Sequence, residues 1–160
     1  MLMRKNSVQC ASPSGLHRMA YTEWGAPDNP RVLVCVHGLT RNARDFDRLA
    51  GALAQHYRVI CPDVVGRGQS GHLKNPAFYS VPQYVADMVT LIARLNVQTV
   101  HWVGTSMGGL IGMALASMEN TPIRKLLLND VGPLITLESL QRIATYVGTD
   151  PTWATFDEAL

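Results

Sequence analysis

The serine at position 106 lies between small residues, in a pattern that suits a nucleophile. Residues 104–109 read Gly-Thr-Ser-Met-Gly-Gly and follow an apolar run containing Val100, Trp102 and Val103. The apolar run is typical of a buried strand, and the residues after the glycines suit a helix. A helix that begins directly after a serine directs its free N–H groups and its positive dipole end toward that side chain. The pattern therefore predicts a nucleophile elbow for acyl transfer.

Gly104 and Gly108 flank this turn. Small residues are needed at both positions because the strand and helix backbones must approach closely around a strained serine. The pattern G-x-S-x-G fixes only three positions, however, and it also occurs in strand–helix turns that have a purely structural role. Two segments upstream favour the chemical interpretation.

The first upstream segment could supply part of an oxyanion-binding site. Residues 33–40 read Leu-Val-Cys-Val-His-Gly-Leu-Thr, a buried-strand run that ends in His-Gly. Acyl transfer needs two N–H donors aimed at the developing oxyanion, each worth about 3 kcal/mol. We expect these donors to be Met107 and, in the loop opened by Gly38, Leu39 or a neighbour. His37 is interpreted as a histidine that hydrogen-bonds its own loop, not as the general base.

The second upstream segment covers residues 58–70, Arg-Val-Ile-Cys-Pro-Asp-Val-Val-Gly-Arg-Gly-Gln-Ser. A strand ends at Pro62-Asp63 and enters a loop whose two glycines allow tight turns. By itself this segment indicates a well-ordered connection.

Together the three segments resemble the α/β-hydrolase superfamily, in its serine-nucleophile branch. His-Gly follows the third strand, D-x-x-G-x-G-x-S follows the fourth and G-x-S-x-G-G follows the fifth. Residues 20–25 resemble its second strand, and residues 126–133 resemble its sixth strand and the exit to its cap. The resemblance extends from about Ser7 to Pro133. It implies a serine hydrolase that cleaves a carboxylic ester or related acyl bond through a Ser106 acyl-enzyme.

The elements that must position these residues follow from apolar periodicity. Strands are expected at 8–11, 16–24, 32–37, 58–62, 97–104 and 125–130, and helices at 42–56, 81–96 and 107–118. Asn42 is expected to cap its helix, and Ser80 to form a capping box with Gln83. The alternation predicts an α/β fold with a doubly wound, mostly parallel sheet. Ligands bind such sheets beyond the carboxyl ends of the strands, where Ser106 is expected.

The groups that should activate the serine do not follow it in this chain. In the resembled superfamily the triad order is serine, acid, histidine. Every histidine of the chain precedes Ser106; the five are His17, His37, His56, His72 and His101. The base and the acid are therefore expected beyond Leu160. Asp130 is a candidate for the acid, although an Asn-Asp-x-Gly-Pro exit is more often a turn whose aspartate bonds nearby backbone N–H groups.

Two parts of the chain are distinguished. Residues 1–133 are expected to form the N-terminal part of the hydrolase core, without the C-terminal strands of that architecture. Residues 134–160 are expected to begin a helical cap. Thr155 and Glu158 have capping-box spacing immediately before the chain stops, which indicates truncation.

Composition narrows the function classes. A chain of 160 residues with 47% hydrophobic content can form a soluble globular core. A net charge of +2 without a basic cluster favours neither nucleic acid nor a membrane surface as partner. Three cysteines without disulfide spacing suit a reducing, cytoplasmic setting.

Neither a metal nor a cofactor is expected, because ligand spacing and phosphate-binding loops are missing. The expected partner is a small-molecule acyl substrate; the oligomeric state is left open.

Other functions fit the same motifs. A serine at the elbow argues against haloalkane and epoxide chemistry, which uses aspartate there. The motifs do not separate an esterase from a C–C bond hydrolase, or from a haloperoxidase or perhydrolase that uses the same serine site. A catalytically incomplete fragment or a hydrolase-like binding module is a further alternative for the chain as written, because it lacks a base. Labelling by a fluorophosphonate distinguishes an activated serine from an idle hydroxyl.

Overall fold

The computed structural model describes residues 3–145, 147, 148, 152, 154, 155 and 157. These residues contain a six-stranded sheet in the order β1-β2-β4-β3-β5-β6. Its strands are β1 (Arg4–Ser12), β2 (Gly15–Trp24), β3 (Val32–Val36), β4 (Arg58–Pro62), β5 (Val100–Thr105) and β6 (Ile123–Asn129). β2 pairs antiparallel with β1 and β4, and the remaining pairs are parallel. The predicted α/β class with a mostly parallel sheet is confirmed.

Three of the described helices lie between strands and the fourth follows β6, and the predicted first helix is shorter than expected. They are α1 (Asp47–Leu53), α2 (Val81–Arg94), α3 (Met107–Ala116) and α4 (Leu137–Ala144). The predicted helix at 42–56 begins with a separate 3-10 turn, Ala43–Phe46, whose cap is Asn42 as expected. The Ala43 N–H donates to the side chain of Asp63 at 2.7 Å, so a contact with the loop after β4 fixes the start of this 3-10 turn.

The predicted capping box at α2 is wrong in one respect. Ser80 is the N-cap residue, but its side chain makes no capping hydrogen bond. The amide of Gln83 instead donates to the carbonyl of Ala11 at 2.9 Å and to Asp87 at 2.8 Å. Gln83 is buried against β1, so a strand carbonyl takes the donor that the capping box would have used.

Apolar side chains bury both faces of the sheet. On one face α2 and α3 pack over Val34, Ile60 and Trp102. On the other face α1 and its 3-10 turn pack over Leu33, Cys35, Val59 and Cys61. All five residues of β3 are buried, as expected for a parallel strand covered on both sides. The doubly wound arrangement aligns the carboxyl ends of β3, β4 and β5 at one edge.

The predicted capping box at residues 155 and 158 is untested, because Glu158, like Leu160, lies outside the described residues. Among the helices that the structure describes, none is long and apolar enough to cross a membrane.

Candidate active site

Ser106 has an unusual backbone conformation. It lies between the end of β5 and the first residue of α3, with φ +49° and ψ −113°. A non-glycine residue in such a region costs on the order of 1–3 kcal/mol and persists only where its surroundings hold it. Here the Ser106 N–H donates to Asn129 of the neighbouring strand at 2.9 Å, and its carbonyl accepts from Gly109 at 2.9 Å. The side chain is thereby held at the N-terminus of α3.

The glycines around the serine are required by close backbone approach. A Cβ on Gly104 would overlap the carbonyl of Gly108, and a Cβ on Gly108 would overlap the carbonyl of Val36. The indole N–H of Trp102 donates to the Gly108 carbonyl at 3.0 Å, which ties β5 to the first turn of α3. The distance between strand and helix at the serine is thus set by residues without side chains.

Both segments expected to carry oxyanion donors lie next to Ser106. The parallel register pairs Val36 with Gly104, so the loop after β3 begins beside the end of β5. A Cβ on Gly38 would be 3.7 Å from the Ser106 Cβ. The Met107 N–H lies in the first turn of α3, where no intrahelical acceptor exists. Within the described part of the chain, neither this N–H nor that of Leu39 donates to another group.

His37 is enclosed by backbone groups. It is fully buried, with Nδ1 2.7 Å from the Gly38 carbonyl, and its Nε2 accepts from the Val64 N–H at 3.0 Å. Burial lowers the pKa of His37, which favours the neutral ring. A carbonyl beside Nδ1 and an N–H donor beside Nε2 place the proton of that ring on Nδ1. Because both ring nitrogens are engaged, the ring joins the loops after β3 and β4 and has no nitrogen free to accept a proton from Ser106.

Asp63 organises the loop after β4. Its carboxylate accepts from the N–H groups of Ala43 and Gln69, each at 2.7 Å, and its carbonyl accepts from the Ser70 hydroxyl at 2.6 Å. Gly68 has φ +54°, and a Cβ there would overlap the Asp63 carboxylate. The aspartate, glycine and serine of this segment therefore act together as a loop framework.

Asp130 lies just after β6 and is exposed. Its φ of +55° agrees with the expected turn. The expected bonds from its carboxylate to nearby backbone N–H groups are not found among the hydrogen bonds of the described residues. None of the described histidines pairs with it either; the buried histidine–aspartate pair of this structure is His17–Asp87, at 2.9 Å.

A buried polar cluster was missed by the sequence analysis. Cys10, His17 and Asp87 have their ligand-type atoms within 4.8 Å of one another, between α2 and the hairpin of β1 and β2. Burial, with a smaller contribution from Asp87, raises the pKa of Cys10 to about 12, so the thiol is neutral. The Asp87 carboxylate is occupied by His17 and Gln83. Asp87 is 70 positions from His17 and 77 from Cys10, so no local spacing in the sequence connects it to them.

A cavity of about 600 Å³ is lined by residues of β1 and β2 and of the segments that follow β3 and β4. Ser106, Leu39 and Met107 do not line it. Its lining includes Lys5, Asn6, Arg18, Thr22, Asn42 and Gln69. The strained serine and its neighbouring N–H groups, not this cavity, therefore define the candidate active site.

Comparison with known proteins decides the family. The family model described as alpha/beta hydrolase fold matches residues 31–155. The chain belongs to the α/β-hydrolase family. The resemblance inferred from the three motif segments is confirmed, and the α/β-hydrolase core explains why the ends of β3, β4 and β5 meet at Ser106.

Individual α/β-hydrolase relatives are longer than this chain. A 3-hydroxybutyrate-oligomer hydrolase from Cupriavidus necator is 62% identical over 157 residues, which cover 98% of this chain and 54% of that protein. A serine hydrolase-like protein from Homo sapiens is 32% identical over 88% of this chain and 68% of its own length. The crystal structure of a putative hydrolase from Rickettsia typhi superposes with a TM-score of 0.83 at 38% identity, over 91% of this chain and 54% of that one. The chain thus spans about half to two thirds of these proteins.

Proposed function

We propose that the complete protein is a serine hydrolase that cleaves a carboxylic ester through an acyl-enzyme on Ser106. The observation that carries this proposal is the strained Ser106 at the start of α3, beside the loop that contains Leu39. In the proposed reaction the Ser106 oxygen attacks the acyl carbon and the alcohol leaves. Water then attacks the acyl-enzyme, which releases the acid and restores the serine hydroxyl.

The proposed oxyanion-binding groups are the N–H groups of Leu39 and Met107. Both are free to donate within the described part of the chain, and the dipole of α3 adds positive potential at the same place. Such preorganised donors are worth about 10²- to 10³-fold each in kcat, because the negative charge develops only in the transition state.

The general base is proposed to be a histidine outside this chain, accompanied by an acid. All five histidines precede Ser106, against the order serine, acid, histidine of this family. His37 and His17 are already engaged in hydrogen bonds. The greater length of the relatives supports a further segment that carries both groups. Asp130 remains the candidate acid within the chain.

The proposed substrate class is a short oligoester of a hydroxy acid. Its support is the 62% identity to a protein named 3-hydroxybutyrate-oligomer hydrolase, whose named substrate is held together by ester bonds. A small-molecule ester of this kind is compatible with a Ser106 that is only partly buried among the described residues.

The two-part organisation is also proposed: residues 1–133 as hydrolase core and residues 134–160 as the start of a cap. α4 buries none of its residues, although Thr136 caps it through the Ser139 N–H. Leu134, Leu137 and Leu140 are exposed. Apolar side chains on a helix just after the core support a covering role over an apolar acyl chain.

The test is hydrolysis of the 3-hydroxybutyrate dimer by the complete protein and by two serine variants. Ser106→Ala should lower kcat by about 10⁴-fold or more, because the nucleophile is removed. Ser117→Ala is the matched control: Ser117 follows α3, is exposed, and its hydroxyl donates to the Ala114 carbonyl at 2.9 Å. It should retain wild-type kcat.

A fluorophosphonate should label the wild-type protein at Ser106, as located by mass spectrometry of its peptides. Undiminished turnover by Ser106→Ala, or labelling at another residue, would contradict the proposal.

A further inference from the structure

Arg67 lies where four segments of the chain meet. Its Nε donates to the carbonyl of Leu39 at 3.0 Å. Its Nη1 donates to the carbonyl of Val65 at 2.9 Å and to the Tyr84 hydroxyl at 3.0 Å. Its Nη2 contacts the sulfur of Met107 at 3.7 Å. One guanidinium therefore joins the loops after β3 and β4, helix α2 and the start of α3.

Two aromatic rings lie against this guanidinium. The Arg67 Cζ lies 5.3 Å from the ring centre of Tyr84 and 5.9 Å from that of Tyr79. The Tyr79 hydroxyl is itself held by the Leu73 N–H at 2.9 Å. The donors of a planar guanidinium point in fixed directions, so the group holds its acceptors at fixed positions relative to one another. A flexible ammonium group cannot do this.

The charge of Arg67 has no carboxylate partner within the part of the chain that the structure describes. Among the ion pairs of the described residues, none includes Arg67, whereas Arg41 and Arg44 each pair with an aspartate on their own turn. The side chain is half-buried, so water competes only in part for its donors. Its acceptors are mainly backbone and hydroxyl oxygens around the serine.

We infer that Arg67 is a positioning residue that sets the spacing between the two oxyanion donors, Leu39 and Met107. This inference rests on the proposed serine hydrolase function. The Leu39 segment is an exposed turn, and the bond to its carbonyl restricts rotation of the backbone that carries the Leu39 N–H. The same guanidinium contacts the side-chain sulfur of Met107, the residue that carries the second donor. Oxyanion donors act over a narrow range of distance, so a small displacement of one donor lowers the rate strongly.

The experiment compares Arg67→Met, Arg67→Lys and Arg18→Met in the complete protein, with the 3-hydroxybutyrate dimer as substrate. Arg18 is the matched control, since its guanidinium also donates to a loop carbonyl, that of Gln69 at 2.7 Å, and it is exposed. Reactive serines are counted by fluorophosphonate titration, so that kcat refers to folded enzyme only.

Arg67→Met should lower kcat per reactive serine about 30-fold with KM changed less than about threefold, because the donors act on the transition state. Arg67→Lys should show an intermediate loss, since an ammonium cannot hold all these acceptors at once. Arg18→Met should stay within about twofold of wild type, in line with a surface contact. Should Arg67→Met fail to fold, Arg67→Lys keeps the charge and most of the volume and carries the test.

A second readout separates positioning from a merely structural role. Affinity for a methyl trifluoromethyl ketone, which forms a tetrahedral adduct with an oxyanion, should fall in parallel with kcat. Affinity for 3-hydroxybutyrate, which forms no such adduct, should stay unchanged. Wild-type kcat per reactive serine in both Arg67 variants would overturn the inference, even if melting temperature fell. Activity lost in Ser106→Ala but kept in Arg67→Met refutes this inference alone, whereas activity kept in Ser106→Ala refutes the proposed function.

Discussion

At the scale of single residues, Ser106 and His37 each lower the stability of the folded protein near the elbow. Ser106 is held in a backbone region that disfavours side chains, and His37 is a titratable ring enclosed by the protein. Both costs arise where the loops after β3 and β5 meet. Each predicts a measurable change in stability that does not depend on the substrate.

Relief of the strain at residue 106 should stabilise the protein. Ser106→Gly should unfold with a free energy about 1 kcal/mol higher than Ser106→Ala, because glycine tolerates a φ of +49°. Ser117 has a helical φ of −78°, so the order should reverse there, with Ser117→Gly about 1 kcal/mol less stable than Ser117→Ala. Urea unfolding of the four variants measures both differences. If the alanine variant were more stable than the glycine variant at both sites, residue 106 would be unstrained.

The buried His37 should make the fold sensitive to mild acid. Burial is the largest cause that lowers its pKa below the ordinary 6.5, so the unfolded chain binds a proton more readily than the folded one. The stability from neutral His37 is present above pH 6.5 and decreases as the pH falls below it, with a slope of at most about 1.4 kcal/mol per pH unit.

The matching comparison uses His37→Asn and, as control, the exposed His72→Gln. Between pH 7.5 and 5.5 the wild type should lose about 1 kcal/mol more free energy of unfolding than His37→Asn. His72→Gln should lose as much as the wild type. Equal losses in all three proteins would mean that His37 titrates alike in the folded and unfolded states.

At the scale of elements, the contact between β5 and α3 fixes the candidate site. Gly104 and Gly108 let the two backbones touch, and Trp102 closes the contact from the strand side. The helix also packs against β3 and β6, so its first turn is held from several directions. A change in the spacing of these elements therefore shifts the serine and its N–H neighbours together.

A methyl group at Gly108 should disrupt this contact. Gly108→Ala should lower the free energy of unfolding by about 3 kcal/mol, because its Cβ would overlap the Val36 carbonyl, which is backbone and cannot rotate away. Gly132→Ala is the control, since a Cβ there has nothing within 4 Å and its φ is not positive. It should change stability by less than about 0.5 kcal/mol. Chemical denaturation measures both; a loss below 1 kcal/mol for Gly108→Ala would contradict the close approach.

At the scale of the whole molecule, the sheet ends at β6 within the described residues. Leu127 of this strand is 56% exposed, and the strand has a partner only in β5. Unpaired N–H and C=O groups along such an edge are open to pairing with further chain. The relatives are longer, so a C-terminal segment is proposed to cover this edge and to bring the base to Ser106.

A chimera tests that proposal. This chain is joined to the C-terminal part of the 3-hydroxybutyrate-oligomer hydrolase from Cupriavidus necator, which is 62% identical over the shared region. The amides of Ile123–Asn129 should exchange at least about 100-fold more slowly in the chimera than in the 160-residue chain, because the edge becomes paired. The chimera should hydrolyse the dimer, and its Ser106→Ala variant should not. Fast exchange at β6 in an active chimera would contradict pairing at this edge.

Local patterns in the sequence were enough to predict the fold class and the family, and both are confirmed; they also single out Ser106 as the nucleophile, which stays a prediction. These depend on local rules: apolar periodicity sets strand and helix, and the steric demands of one sharp turn select Gly104, Ser106 and Gly108. The first helix was predicted less accurately, since a bond from Asp63 after β4 holds the start of its 3-10 turn; β5 begins at Val100 rather than at residue 97.

Contacts between segments that are distant in the sequence depend on the tertiary structure. The Arg67 contacts to Leu39 and Met107 span 28 and 40 residues, and His17 meets Asp87 across 70. No periodicity or spacing encodes such pairs, because they follow from strand order and from the way helices cover the sheet. Whether Gln83 would cap a helix or bind a strand carbonyl was likewise decided by burial against β1, where an unpaired carbonyl is costly.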